Sequence, residues 1–73
     1  MVFNMRNIDI GLRIKYLRKQ AGLSQEKLAR KIAFDRTIIS KIESGKYNVT
    51  VNTLEQICDG IGVTLKDFFD FEY

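Results

Sequence analysis

Three residues, Ala33, Phe34 and Asp35, separate two stretches whose apolar positions recur at helical spacing. In the first stretch Ser24 is placed to cap a helix in which Leu28 and Ile32 line one side and Ala29 offers a close-packing point. The second begins at Arg36 and stops at Gly45, with Ile38, Ile39 and Ile42 on one side. A three-residue connection is too short to fold two helices back as an antiparallel hairpin, so they must cross steeply. The apolar faces of such a pair need a core to cover them.

The rest of the chain supplies that cover. Ile10, Ile14, Leu17 and Ala21 predict a first helix from about Ile8 to Ala21, capped by Asn7 or Asp9 and ended by Gly22. Thr50 is placed to cap a fourth helix, with Leu54, Ile57, Cys58 and Ile61 on one stripe, and Thr64 a short fifth carrying Leu65, Phe68 and Phe69. No segment sustains the alternation of a strand, so the expected class is all-α: five short helices in one domain, residues 1–73. Seventy-three residues lie near the lower size at which a single core suffices, which corresponds to roughly 4–11 kcal/mol of stability.

The segment FDRTIISKIESG has a second face. Opposite its isoleucines stand Arg36, Thr37, Ser40 and Ser44, with Lys41 at the edge. These groups are small, polar or basic. Arginine can pair bidentately with guanine, threonine offers a hydroxyl and a methyl to thymine, and serine is short enough to let a helix sit deep in a groove. A polar helix face alone is more often simply solvated. Here the charge distribution argues further: residues 1–46 carry eleven Lys or Arg against four acids, net +7, and residues 47–73 one against five, net −4. A polyanion partner on the first part is expected from that asymmetry.

Other chemistries find little support. There is no histidine and one cysteine, so the usual zinc ligand sets cannot be assembled within one chain. Cys58 reads as a small core residue. The carboxylates are scattered on caps and tails without pairing partners for acid–base work, and neither enzyme activity nor a cofactor is expected. No apolar run approaches the ~20 residues of a membrane helix, and MVFNMRNIDI lacks the parts of a signal peptide, so a cytoplasmic protein is expected.

Three pieces in this order and spacing, GLRIKYLRKQAGLSQEKLA, DRTIISKIESGK and VNTLEQICDGIGV, resemble the lambda-repressor/Cro-like (XRE-like) family of helix-turn-helix regulators over about residues 8–70. The resemblance implies a five-helix domain whose helix-turn-helix spans about residues 25–44, with the second helix entering the major groove of double-stranded DNA. It assigns base reading to Arg36, Thr37 and Ser40, and backbone contacts to Gln25, Lys41 and Lys46. It pairs Arg18 with Glu43 in an internal salt bridge, and it places glycine where this chain has Ala33. Family members commonly dimerise through their last segment, here residues 64–73. Phe68 and Phe69 would help close the core, while Phe69, Phe71 and Tyr73 would supply the dimer interface. Glu26 stands where activating members touch RNA polymerase, although an acid in a first helical turn also simply favours the helix dipole. The expected function is a sequence-specific transcriptional regulator, a homodimer on a palindromic operator, of the kind seen in phage repressors and restriction–modification controller proteins, often autoregulatory. The alternative is an antitoxin or other protein-binding module that binds DNA secondarily. RNA binding ranks low, because single-strand recognition needs an exposed aromatic platform and the aromatics cluster at the acidic end.

Overall fold

The computed structural model describes residues 6–70. Five helices follow one another: α1 (Asn7–Gln20), α2 (Gln25–Lys31), α3 (Arg36–Glu43), α4 (Val51–Ile61) and α5 (Leu65–Phe69). The described residues contain no strand.

Local chemistry sets the helix starts. The hydroxyls of Ser24, Thr50 and Thr64 accept from the backbone N–H groups of Lys27, Thr53 and Asp67, and the carboxylate of Asp35 accepts from Thr37. The start of α1 differs from expectation. Arg6 occupies the cap position, and neither Asn7 nor Asp9 does. Asp9 serves from within the first turn, where its carboxylate accepts from the Arg6 backbone N–H at 2.9 Å.

The ends of α1 to α4 share a left-handed residue followed by a return hydrogen bond. Gly22 (φ 73°) ends α1, with the Leu23 N–H donating to the Arg18 carbonyl at 3.1 Å. Ala33 does the same for α2, with Phe34 N–H donating to Ala29 O at 2.8 Å. The turn that the sequence marked as wanting glycine does take a positive φ, 59°, and it is the one such non-glycine residue among those described.

Ile14, Leu28, Ala29, Ile39, Ile42, Leu54, Ile57, Cys58, Ile61 and Phe68 form the core, to which every helix contributes. The α4 stripe is buried as expected. On α1 the buried line is Gly11, Ile14 and Arg18; Ile10 and Leu17 are half-buried and Ala21 is exposed. The shift has a cause at Gly11. A Cβ there would collide with the backbone carbonyl oxygen of Ile42 and lie 2.7 Å from that of Glu43. The missing side chain therefore lets α1 press against the backbone of α3 and fixes where α3 sits.

Candidate nucleic-acid interface

α3 buries Ile39 and Ile42 and turns its other side outward. Arg36 and Thr37 are exposed on its first turn, Ser40 is half-buried one turn on, and Lys41 is exposed. The chain then leaves the helix through Gly45. The N–H groups of Gly45 and Lys46 return to the carbonyls of Ile42 and Lys41 at 3.1 and 2.9 Å, which sets exposed Lys46 just past the helix end. The residues expected to read bases and those expected to touch backbone, Gln25 aside, thus share one helix and its exit.

The electrostatics of that helix depend on where its one carboxylate goes. Glu43 lies in the last turn of α3, and its side chain is only 3% exposed. Arg18 meets it with two bonds, Nε to Oε2 at 2.6 Å and Nη2 to Oε1 at 3.0 Å. The expected internal pair is formed, and it is bidentate. The third guanidinium nitrogen, Nη1, donates to the carbonyl of Leu23 at 2.7 Å and so braces the turn between α1 and α2. No buried side-chain polar atom among the described residues lacks a partner. With Glu43 turned inward and paired, the outer side of α3 carries hydroxyls and cations, and the exposed carboxylate at its start, Asp35, is held on the Thr37 backbone N–H. Among the described residues, Arg36, Lys41 and Lys46 take part in no ion pair.

Gln25 is drawn into the same network. Its amide Nε2 donates to Glu43 Oε1 at 3.1 Å, which ties the start of α2 to the end of α3. A carboxylate can only accept, so the amide nitrogen must face Glu43. One amide hydrogen and the amide oxygen remain for another partner. Glu26, next to it, is exposed and lies 3.4 Å from Arg30 one turn along α2.

At the far end, Phe69 is half-buried and stands edge-on to Phe68, ring centres 5.0 Å apart. Phe71 and Tyr73, the other expected interface residues, lie outside the described residues. Sequence reasoning missed Arg13, which links this end to α1: its Nε and Nη2 donate to the carbonyls of Phe68 and Asp67 at 2.8 and 3.0 Å. A cation on α1 that completes the C-terminus of α5 leaves no local pattern. Asp35, the cap of α3, was also missed, although an aspartate just before the first helical residue is a recognisable signal.

Cys58 is 1% exposed, and burial together with the nearby Asp59 and Glu55 pushes its thiol up from 9.0 to about 11. A protonated, enclosed thiol is a poor nucleophile. Among the described residues no three His, Cys, Asp or Glu side chains are grouped to hold a metal, and no helix is long and apolar enough to cross a membrane.

Two helices joined by a short turn, with an inward-turned carboxylate and a basic and polar outer face, make a helix-turn-helix DNA-binding domain. The helix-turn-helix family HTH_3 matches residues 14–68, and the chain belongs to that XRE-like family. It is similar to the control protein C.MunI of a Mycoplasma species, 48% identical over 63 residues, which are 85% of each chain. It is also similar to the control protein C.BamHI of Bacillus amyloliquefaciens, 39% identical over 72 residues, 97% of this chain and 88% of that one. Among solved structures, the restriction–modification controller protein C.Esp1396I, a tetramer in complex with its natural 35-base-pair operator, superposes with a TM-score of 0.83 at 39% identity, covering 88% of this chain and 84% of that one. C.AhdI from Aeromonas hydrophila, also a restriction–modification controller protein, gives 0.81 at 28% identity, covering 86% and 96%. The chain is a DNA-binding transcriptional regulator.

Proposed function

We propose that this protein is the controller of a restriction–modification system and binds, as a homodimer, a palindromic operator beside the genes it regulates, its own included. The outer face of α3 carries this reading: Arg36 and Thr37 are exposed on the first turn, and Glu43, the one carboxylate within the helix, is turned inward. Two such helices related by a twofold axis would read half-sites about 34 Å, or about 10 bp, apart. Arg36, Thr37 and Ser40 discriminate bases; Lys41, Lys46 and the remaining amide hydrogen of Gln25 hold phosphates. The dimer closes through the last segment, with Phe69 at its edge and Phe71 and Tyr73 beyond. The protein works in the cytoplasm, where its operator is, and catalyses nothing.

The kinship with control proteins supports this reading over an antitoxin that binds DNA secondarily. For Glu26, the pairing with Arg30 supports a role within α2 over a contact with RNA polymerase. The experiment is a set of single substitutions read on operator and on random duplex. Arg36→Ala or Thr37→Ala should remove most of the preference for operator, about 1–3 kcal/mol for each base contact, with helical content and melting nearly unchanged. Ile39→Ala, buried behind the same face, should instead cost about 2–5 kcal/mol of folding. Specific affinity that survived Arg36→Ala would refute the assignment of the base-reading face.

A further inference from the structure

Two exposed helix faces match each other in spacing and oppose each other in charge. On the outside of α2, Lys27 and Lys31 stand one turn apart beside Arg30, and with Leu23 they line an open groove. On α4, Glu55 and Asp59 stand one turn apart in the same way, both exposed. Val51, one turn before Glu55, is 71% exposed, the most of any large apolar side chain described. Both rows therefore read, along the chain, one apolar residue and then two charges at steps of four residues. The helical steps Lys27–Lys31 and Val51–Glu55–Asp59 are about 6 Å each, and Leu23, in the turn just before α2, joins its row by lining the same groove.

Neither row finds its partner inside the chain. Among the described residues, Lys27, Lys31, Glu55 and Asp59 enter no ion pair. α2 and α4 do touch, but through other faces: a Cβ on Gly60 would lie 2.6 Å from Ile32 and 2.9 Å from Leu28, on the buried side of α2. The charged rows point elsewhere, so only a second molecule can bring them together.

We propose that the groove on α2 receives the outer face of α4 from a second copy of this chain, with the helices parallel. Val51 of one copy then packs on Leu23 of the other, Glu55 faces Lys27, and Asp59 faces Lys31. The antiparallel arrangement would satisfy the charges but leave Val51 beyond Lys31, away from the apolar floor. Exposed ion pairs contribute little each and are screened by salt. The contact is therefore weak between free molecules and becomes effective where copies are held side by side, as on neighbouring DNA sites. It joins unlike faces, so it can repeat from one copy to the next and is distinct from a twofold dimer contact. The inference does not rest on which bases α3 reads, and its primary readout, the mass of the protein alone, involves no DNA.

The test is the average mass of the full chain by sedimentation equilibrium at millimolar concentration, at about 50 mM and about 500 mM salt. Low salt should raise the mass above the high-salt value. Lys27→Glu with Lys31→Glu should abolish that rise, and so should Glu55→Lys with Asp59→Lys. The chain carrying all four substitutions keeps the net charge of +3 and should recover it, because both rows are reversed together. Circular dichroism on each variant checks that the helices persist. Equal mass at both salt concentrations, or no recovery in the fourfold variant, overturns the proposal. Loss of DNA binding by the lysine variant with its mass behaviour unchanged would give the groove to phosphates and equally overturn it.

Discussion

Ala33 holds a left-handed backbone, φ 59°, at the corner where α2 turns into α3. A side chain in that region costs about 1–2 kcal/mol, and glycine avoids the cost while losing about 0.5–1 kcal/mol to its freer unfolded chain. Ala33→Gly should therefore stabilise the fold by about 0.5–1 kcal/mol, raising the melting temperature by about 2–8 °C for a domain of this size. A fall in melting temperature would mean that the Ala33 methyl makes a contact worth more than the strain. The cost was legible beforehand, because the family resemblance places glycine at this position. Arg36, Thr37 and Lys41 were equally legible, since opposing the isoleucines on a helix wheel is enough to place them outside. Gln25 was only half so. Its position at the start of α2 follows from the Ser24 cap, but its bond to Glu43 joins residues 18 apart in the chain and depends on how two helices cross.

Between elements, the fold is set by contacts that local pattern does not encode. Helix positions 10, 14 and 17 marked the inner side of α1, yet the line buried deepest runs through Gly11, Ile14 and Arg18. A glycine within a helix usually signals weakness, and replacing it by alanine normally gains about 1 kcal/mol. At Gly11 the sign should reverse. The added methyl would meet two backbone carbonyl oxygens of α3, which cannot rotate away as a side chain would. Overpacking of this kind costs about 1–3 kcal/mol and exceeds the gain in propensity. Gly11→Ala should thus lower the denaturation midpoint. It should also weaken operator binding among the molecules that still fold, because α3 is pushed from its seat. A higher midpoint would show that α1 and α3 have room to separate. The Arg18–Glu43 pair acts at this scale too, joining α1, the turn before α2, and α3 through one guanidinium.

For the whole molecule, the division into a basic first part and an acidic last part takes on a direction. The cations of α3 and its exit are exposed, and the acids Glu55, Asp59, Asp67 and Asp70 stand on α4, on α5 and just after it. Long-range attraction to DNA then presents the helix-turn-helix first. Phosphate contacts add affinity without sequence preference, so Lys46→Ala should weaken binding to all duplexes alike and flatten the dependence of log affinity on log salt by about one for each chain bound. Binding that fell on operator alone would instead make Lys46 a reader of bases.

The central claim is that the exposed face of α3 reads DNA in pairs. Selection from random duplex DNA at near-physiological salt, with the bound pool sequenced, tests it most directly. Enrichment of two inverted half-sites with centres about 10 bp apart is the expected result, and the same selection with Arg36→Ala should lose it. A pool that stays random with the unaltered protein would contradict the account.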